Sequence, residues 1–116
     1  MMDSLREEVA WAARGYLRKG GKQNRGQQFR RMCQFARFCE REGMRSLAQV
    51  GARQVIRYWR SEAMLDLSDS TRQSHYYALC TLWKLSGKPT SPPMPFTREQ
   101  RARNKRRASV GKLKLR

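Results

Sequence analysis

Apolar positions recur along the chain at helical spacing, in four blocks. In the first, Leu5, Val9, Ala12, Ala13, Tyr16 and Leu17 make one stripe, because residues three and four apart share a helix face. Ser4 with Glu7 has capping-box spacing, and Gly20-Gly21 is a stop signal, so a helix is expected from residue 3 or 4 to 19. A second helix is expected over about residues 23–42, with Phe29, Met32, Cys33, Ala36 and Cys39 inward. Phe35 and Phe38 widen that stripe, and Gly43 ends it. Leu47 and Val50 then anchor a connection in the core. A third helix follows over about 52–64, with Ala52, Val55, Ile56, Trp59 and Ala63 pointing one way. The fourth is "DSTRQSHYYALCTLWKLSGKP". Ser68 or Ser70 can cap it, Tyr76, Leu79, Cys80 and Trp83 form its stripe, and Gly87 and Pro89 terminate it. No β alternation occurs. The expectation is an all-α protein, a four-helix bundle over residues 1–88.

Beyond that point the pattern stops. "KPTSPPMPF" reads as an extended proline-rich linker, and "TREQRARNKRRASVGKLKLR" has almost no core-forming residues. Residues 89–116 are therefore expected to be linker and basic tail, disordered when free, with a turn or two of helix forming against phosphates. The 116 residues suffice for one domain.

Charge changes the picture most. There are 26 Lys and Arg against 9 Asp and Glu, a net of +17, and 19 of the 26 are Arg. The last 30 residues hold ten basic and one acidic side chain, and the first 86 hold sixteen and eight. The folded part is thus basic in its own right. An excess of this size repels itself unless a polyanion is near, and arginine's planar fork suits phosphate oxygens and guanine edges. Nucleic acid is the expected partner. RNA, or an acidic protein partner or membrane, are the alternatives.

Other chemistry is sparse. Cys33, Cys39 and Cys80 form no CxxC pair, and with His75 as the single histidine no ligand pair has metal-site spacing. The expectation is buried, reduced thiols, no metal and no cofactor. No run reaches the roughly 18 apolar residues of a membrane span, and no signal peptide is apparent, so a cytoplasmic, nucleoid-associated protein of a bacterium or phage is expected, without a membrane partner. A tyrosine nucleophile would need Arg, Lys and His around a scissile phosphate, or a metal, and neither pattern is present. The protein is not expected to be an enzyme.

The basic residues are ordered. Arg30, Gln34, Arg37 and Arg41, at i, i+4, i+7 and i+11, make one outward line on the second helix, and Arg53, Arg57 and Arg60 make another on the third. On the fourth, Ser70, Ser74, Tyr77, Thr81 and Lys84 follow a polar line, with Arg72, Gln73 and His75 near its start. A helix N-terminus favours phosphate and base contacts, and Arg72 could fork onto guanine. Tyr76 is expected in the core and Tyr77 outside it. Trp11 is expected at the core's edge, with an assembly contact as the alternative. In the tail, Arg98, Arg101, Arg103, Lys105, Arg106 and Arg107 could track an adjacent groove or the backbone.

From about Glu7 to Pro89 the chain resembles the N-terminal, core-binding domain of tyrosine recombinases of the phage-integrase type. The likeness rests on a first helix ending in "YLRKG", a helix of aromatics and arginines, then "SLAQV", "VIRYW" and "LSDSTRQSHYYALCTLWKL". The resemblance implies a four-helix, SAM-like bundle lying across duplex DNA, with its second and fourth helices toward the major groove. Mapped onto this chain, that face would hold Arg30, Gln34, Arg37 and Arg41 with Thr71, Arg72, His75 and Tyr77. The family's catalytic Arg, Lys, His-x-x-Arg and Tyr have no counterpart after Pro89, so strand cleavage is not carried over. The implied function is double-stranded DNA binding for a mobile element, as a transcriptional regulator or an accessory in recombination or DNA transfer, alone, as a homodimer, or with a partner recombinase or regulator.

Overall fold

A computed structural model describes residues 4–19 and 22–103. Within them the chain is helical and has no strand. Helix α1 spans Leu5–Arg18, α2 Lys22–Arg41, α3 Ala52–Trp59, α4 Glu62–Leu65 and α5 Asp69–Leu85, with a 3-10 turn at Leu47–Gln49 between α2 and α3. Residues 98–103 are helical again.

Local chemistry sets most of the boundaries. The Ser4 and Ser68 hydroxyls accept the Glu7 and Thr71 amides, each at 3.2 Å, and so begin α1 and α5. Gly43 and Gly87 have φ of 90° and 73°, the left-handed region in which glycine alone is at ease. In both places the next amide reaches back five residues, Met44 to the Cys39 carbonyl at 2.9 Å and Lys88 to that of Trp83 at 3.1 Å, the Schellman closure of a helix. The expected stop at Gly20-Gly21 lies outside the described residues.

The third expected helix is two pieces. Arg60 ends α3, Ser61 turns to extended backbone and α4 restarts at Glu62. The Ser61 hydroxyl donates to the Tyr58 carbonyl at 2.6 Å, which ties the bend to the end of α3. The break rotates α4 relative to α3, so Met64 is buried while Ala63, expected inside, is exposed, as is Ala52.

Tyr58 occupies the centre of the core. Its ring lies 5.1 Å from Phe35, 5.2 Å from Phe38, 5.6 Å from Trp59 and 6.4 Å from His75, which joins α2, α3 and α5. Leu5, Val9, Met32, Cys39, Leu79 and Leu82 complete the buried cluster. Burial pushes the Cys39 thiol up to about 12, and the nearby Glu42 and Glu40 carboxylates add to it. Cys33 and Cys80 are half-buried rather than enclosed, and all three thiols are free.

The chain does not leave the bundle at Pro89. The Trp59 indole donates to the Pro93 carbonyl at 2.9 Å, and the Lys88 ammonium reaches the Leu47 and Val50 carbonyls at 2.8 and 2.7 Å. Thr97 and Gln100 cap one another, Thr97 amide to Gln100 Oε1 at 3.0 Å and Gln100 amide to Thr97 Oγ1 at 3.1 Å. That reciprocal cap begins the helical residues 98–103. No helix among the described residues is long and apolar enough to cross a membrane.

Candidate functional site

Arg30, Gln34, Arg37 and Arg41 are all exposed along α2. Their side chains form no hydrogen bond or ion pair with any described residue. Arg53, Arg57 and Arg60 are likewise exposed on α3. Of these, Arg57 is paired, with its Nε 2.6 Å from the Glu42 carboxylate. Phe38 turns from α2 toward Tyr58 of α3, and a hollow of about 440 Å³ separates the two helices, lined by Gln34, Arg41, Ser61 and Glu62 among others. Gln34 and Arg41 of the α2 line border this hollow together with the Glu42 and Glu62 carboxylates, and the Arg57–Glu42 pair ties the end of α2 to α3.

The α5 residues do not join that surface. His75 and Trp83 turn toward α2, where Trp83 lies 6.1 Å from Phe35 and the Arg31 charge acts on His75. At about 100° per residue, Tyr77 stands roughly 160° round α5 from that direction. It is 55% exposed, as expected of an outward residue, but it points away from the α2 line. The single face expected from α2 and α5 together is divided between two sides of the bundle.

Two expected contact residues lie inside the protein. Arg72 is 3% exposed and His75 7%. The Arg72 guanidinium donates to the Met64 and Leu65 carbonyls at 3.2 and 3.3 Å and pairs with the Asp69 carboxylate. These groups sit where α4 ends, so Arg72 satisfies the carbonyls of a short helix and has no fork left for a guanine edge. His75 packs edge-on to Tyr58, and burial, with a smaller contribution from Arg31, lowers its pKa. Thr71 is half-buried and its hydroxyl shares a hydrogen bond of 2.9 Å with that of Ser68, which commits it to the cap of α5.

Arg98, Arg101 and Arg103 are exposed. The Arg98 amide binds the Asp69 carboxylate at 3.0 Å and the Arg101 guanidinium reaches the Leu65 carbonyl at 3.3 Å. Their segment is thereby docked beside α4 and the start of α5. Lys105, Arg106 and Arg107 lie outside the described residues.

A second cluster has no counterpart in the expectations apart from Lys84. Trp11, expected at the core's edge, is 56% exposed, because two residues along a helix place it about 160° from the buried Val9. It borders a cleft of about 910 Å³ between α1 and α5, into which Arg14, Arg18, Lys19, Arg25 and Lys84 also face. Among the described residues, no carboxylate lines that cleft. Its residues come from two stretches free of acids, between Glu8 and Glu40 and between Asp69 and Glu99. That long absence of acids around an exposed Trp-x-x-Arg was the available signal.

No three His, Cys, Asp or Glu side chains among the described residues come together as a metal site. What the arrangement offers is positive charge held on helices in two places, one along the exposed sides of α2 and α3, the other around the exposed Trp11 ring. Comparison of the chain with protein-family models, with curated proteins and with solved structures finds no match.

Proposed function

We propose that this chain is a non-enzymatic, double-stranded DNA-binding protein, which meets the duplex with the arginine lines of α2 and α3. The observation that carries this reading is the α2 line, where Arg30, Arg37 and Arg41 stand exposed and their side chains make no ion pair or hydrogen bond with any described residue. Cations held in this way by a helix are ready to displace the counterions of a phosphate backbone. Arg98, Arg101 and Arg103 extend the basic area from the docked C-terminal segment. The residues resembling a recombinase core-binding domain favour a SAM-like arrangement and a role at a mobile element, in transcriptional control or as an accessory in recombination or DNA transfer. The duplex side in this reading is α2–α3 rather than α2–α5.

Salt dependence of binding to a labelled 20-base-pair duplex tests the reading. With about 6–8 phosphates neutralised, log affinity should fall against log salt with a slope of about −5 to −7. A slope near zero on duplexes of every composition would overturn it.

A further inference from the structure

The cleft between α1 and α5 has the chemistry of a different ligand. The Arg14 guanidinium lies over the Trp11 ring, 3.5 Å from its centroid, and is pinned there by a 2.6 Å bond to the Trp11 carbonyl. A guanidinium stacked in this way keeps N–H groups along its edge for an oxyanion. The ring it covers still has a second face, and the side chain is 56% exposed. Arg25 repeats the motif over Tyr16, at 4.3 Å.

Gly15, one turn after Trp11, leaves no side chain beside the ring, and nothing lies within 4 Å of where its Cβ would stand. A glycine inside an exposed helix is unfavourable; its place here keeps the cleft floor open. An accessible aromatic face beside exposed cations such as Arg14, Arg18 and Lys84 is the arrangement that binds unpaired bases together with their phosphates. A paired base is stacked between its neighbours in the duplex and cannot offer its face to the ring.

We propose that this cleft binds a single-stranded nucleic-acid segment, with one unpaired base stacked on the free face of Trp11 and its flanking phosphates held by Arg14, Arg18 and Lys84. The site lies on different residues from the α2–α3 arginine surface and does not depend on the duplex reading.

The probes are eight-residue oligothymidylate and oligouridylate, added to the full chain at low salt while tryptophan emission is followed. Trp59 and Trp83 are each 3% exposed, so quenching reports on Trp11. Both oligomers should quench, and the tighter one identifies DNA or RNA as the source. Trp11→Ala should weaken binding about tenfold, read by anisotropy of labelled oligomer, whereas Trp11→Phe should stay within about threefold of the parent because a ring remains. Gly15→Glu, which sets a carboxylate on the cleft floor, should abolish it. All three variants change exposed positions, should melt no lower than the parent, Gly15→Glu somewhat higher because it removes a helical glycine, and should keep the parent's affinity for a blunt duplex. The proposal is overturned if neither oligomer binds, if Trp11→Ala binds as tightly as the parent, or if tripolyphosphate or hexaglutamate competes as well as oligothymidylate. Loss of duplex binding in Arg30→Ala/Arg37→Ala/Arg41→Ala with oligomer binding intact would separate the two sites.

Discussion

The Asp69 carboxylate accepts the backbone amide of Arg98 at 3.0 Å, across 29 residues of sequence. The same oxygen pairs with the buried Arg72 guanidinium, so one side chain joins the start of α5, the end of α4 and the C-terminal segment. These partners, the Arg98 amide first and Arg72 next, hold the carboxyl below its usual range. The clasp is therefore complete above the ordinary carboxylate pKa of about 4 and is lost as pH falls through the lowered value. In Asp69→Ala the segment around residues 98–103 should come loose. Trypsin should then cut at Arg101 and Arg103 sooner than in the parent, and unchanged cleavage would show that other contacts hold the segment.

Arg72 belongs to the fold. Its replacement by alanine opens space at the bundle's end and leaves the Met64 and Leu65 carbonyls without their donor. Urea unfolding should show a loss of about 1–3 kcal/mol. The fraction still folded should bind a duplex as the parent does, since the buried guanidinium is not part of the proposed surface.

His75 makes stability depend on pH above the range where carboxylates titrate. Burial holds its folded pKa below the ordinary value of about 6.5, so the unfolded chain takes up the proton first on acidification. The stabilisation is whole above about 6.5 and is lost as pH falls toward the depressed folded value. Urea midpoints should drop between pH 7.5 and 5.5. His75→Phe, which retains a ring against Tyr58, should flatten that part of the profile.

On α2, Arg30→Ala/Arg37→Ala/Arg41→Ala removes three cations that bond to no described residue. The salt slope for duplex binding should become shallower by about 2.7, at about 0.9 for each phosphate no longer neutralised. Stability should stay within about 0.5 kcal/mol for each exposed position. A slope that does not change would move the duplex surface elsewhere.

Gly15 offers a prediction of opposite sign. An alanine there meets nothing within 4 Å, and it restricts the unfolded chain while favouring the helix. Gly15→Ala should stabilise the protein by about 0.5–1 kcal/mol in thermal or urea unfolding. No gain would mean that α1 is not continuous through this position.

How much of this was legible in the sequence depends on the range of each interaction. Ser4, Ser68, Gly43 and Gly87 act on residues within five positions of themselves, and they marked the helix ends they form. The α2 line could be read because its spacing alone puts Arg30, Gln34, Arg37 and Arg41 together opposite the core. The break at Ser61 was masked by Trp59 and Ala63, whose spacing fits one continuous stripe. Val55, Tyr58 and Trp59 fit a second stripe equally well, and that is the one the core uses. Arg72 was half legible: it lies four, seven and eleven residues before Tyr76, Leu79 and Trp83, on the apolar stripe, and Asp69 stands three residues before it. Its carbonyl partners on α4 were not legible, because they reach it only after the chain has turned. Around Trp11 the two acid-free stretches were visible, but their meeting was not, because α1 and α5 are far apart in sequence and come together only by packing.

The length of the α2 arginine row has a consequence for stoichiometry. From Arg30 to Arg41 it extends about 16 Å at 1.5 Å per residue, which matches about five base pairs of duplex at 3.4 Å each. Such a footprint covers only half a helical turn. If that row alone sets the footprint, a longer duplex takes further copies side by side and saturation rises in steps as the duplex is lengthened; a single larger step would show that α3 and the C-terminal arginines share the contact.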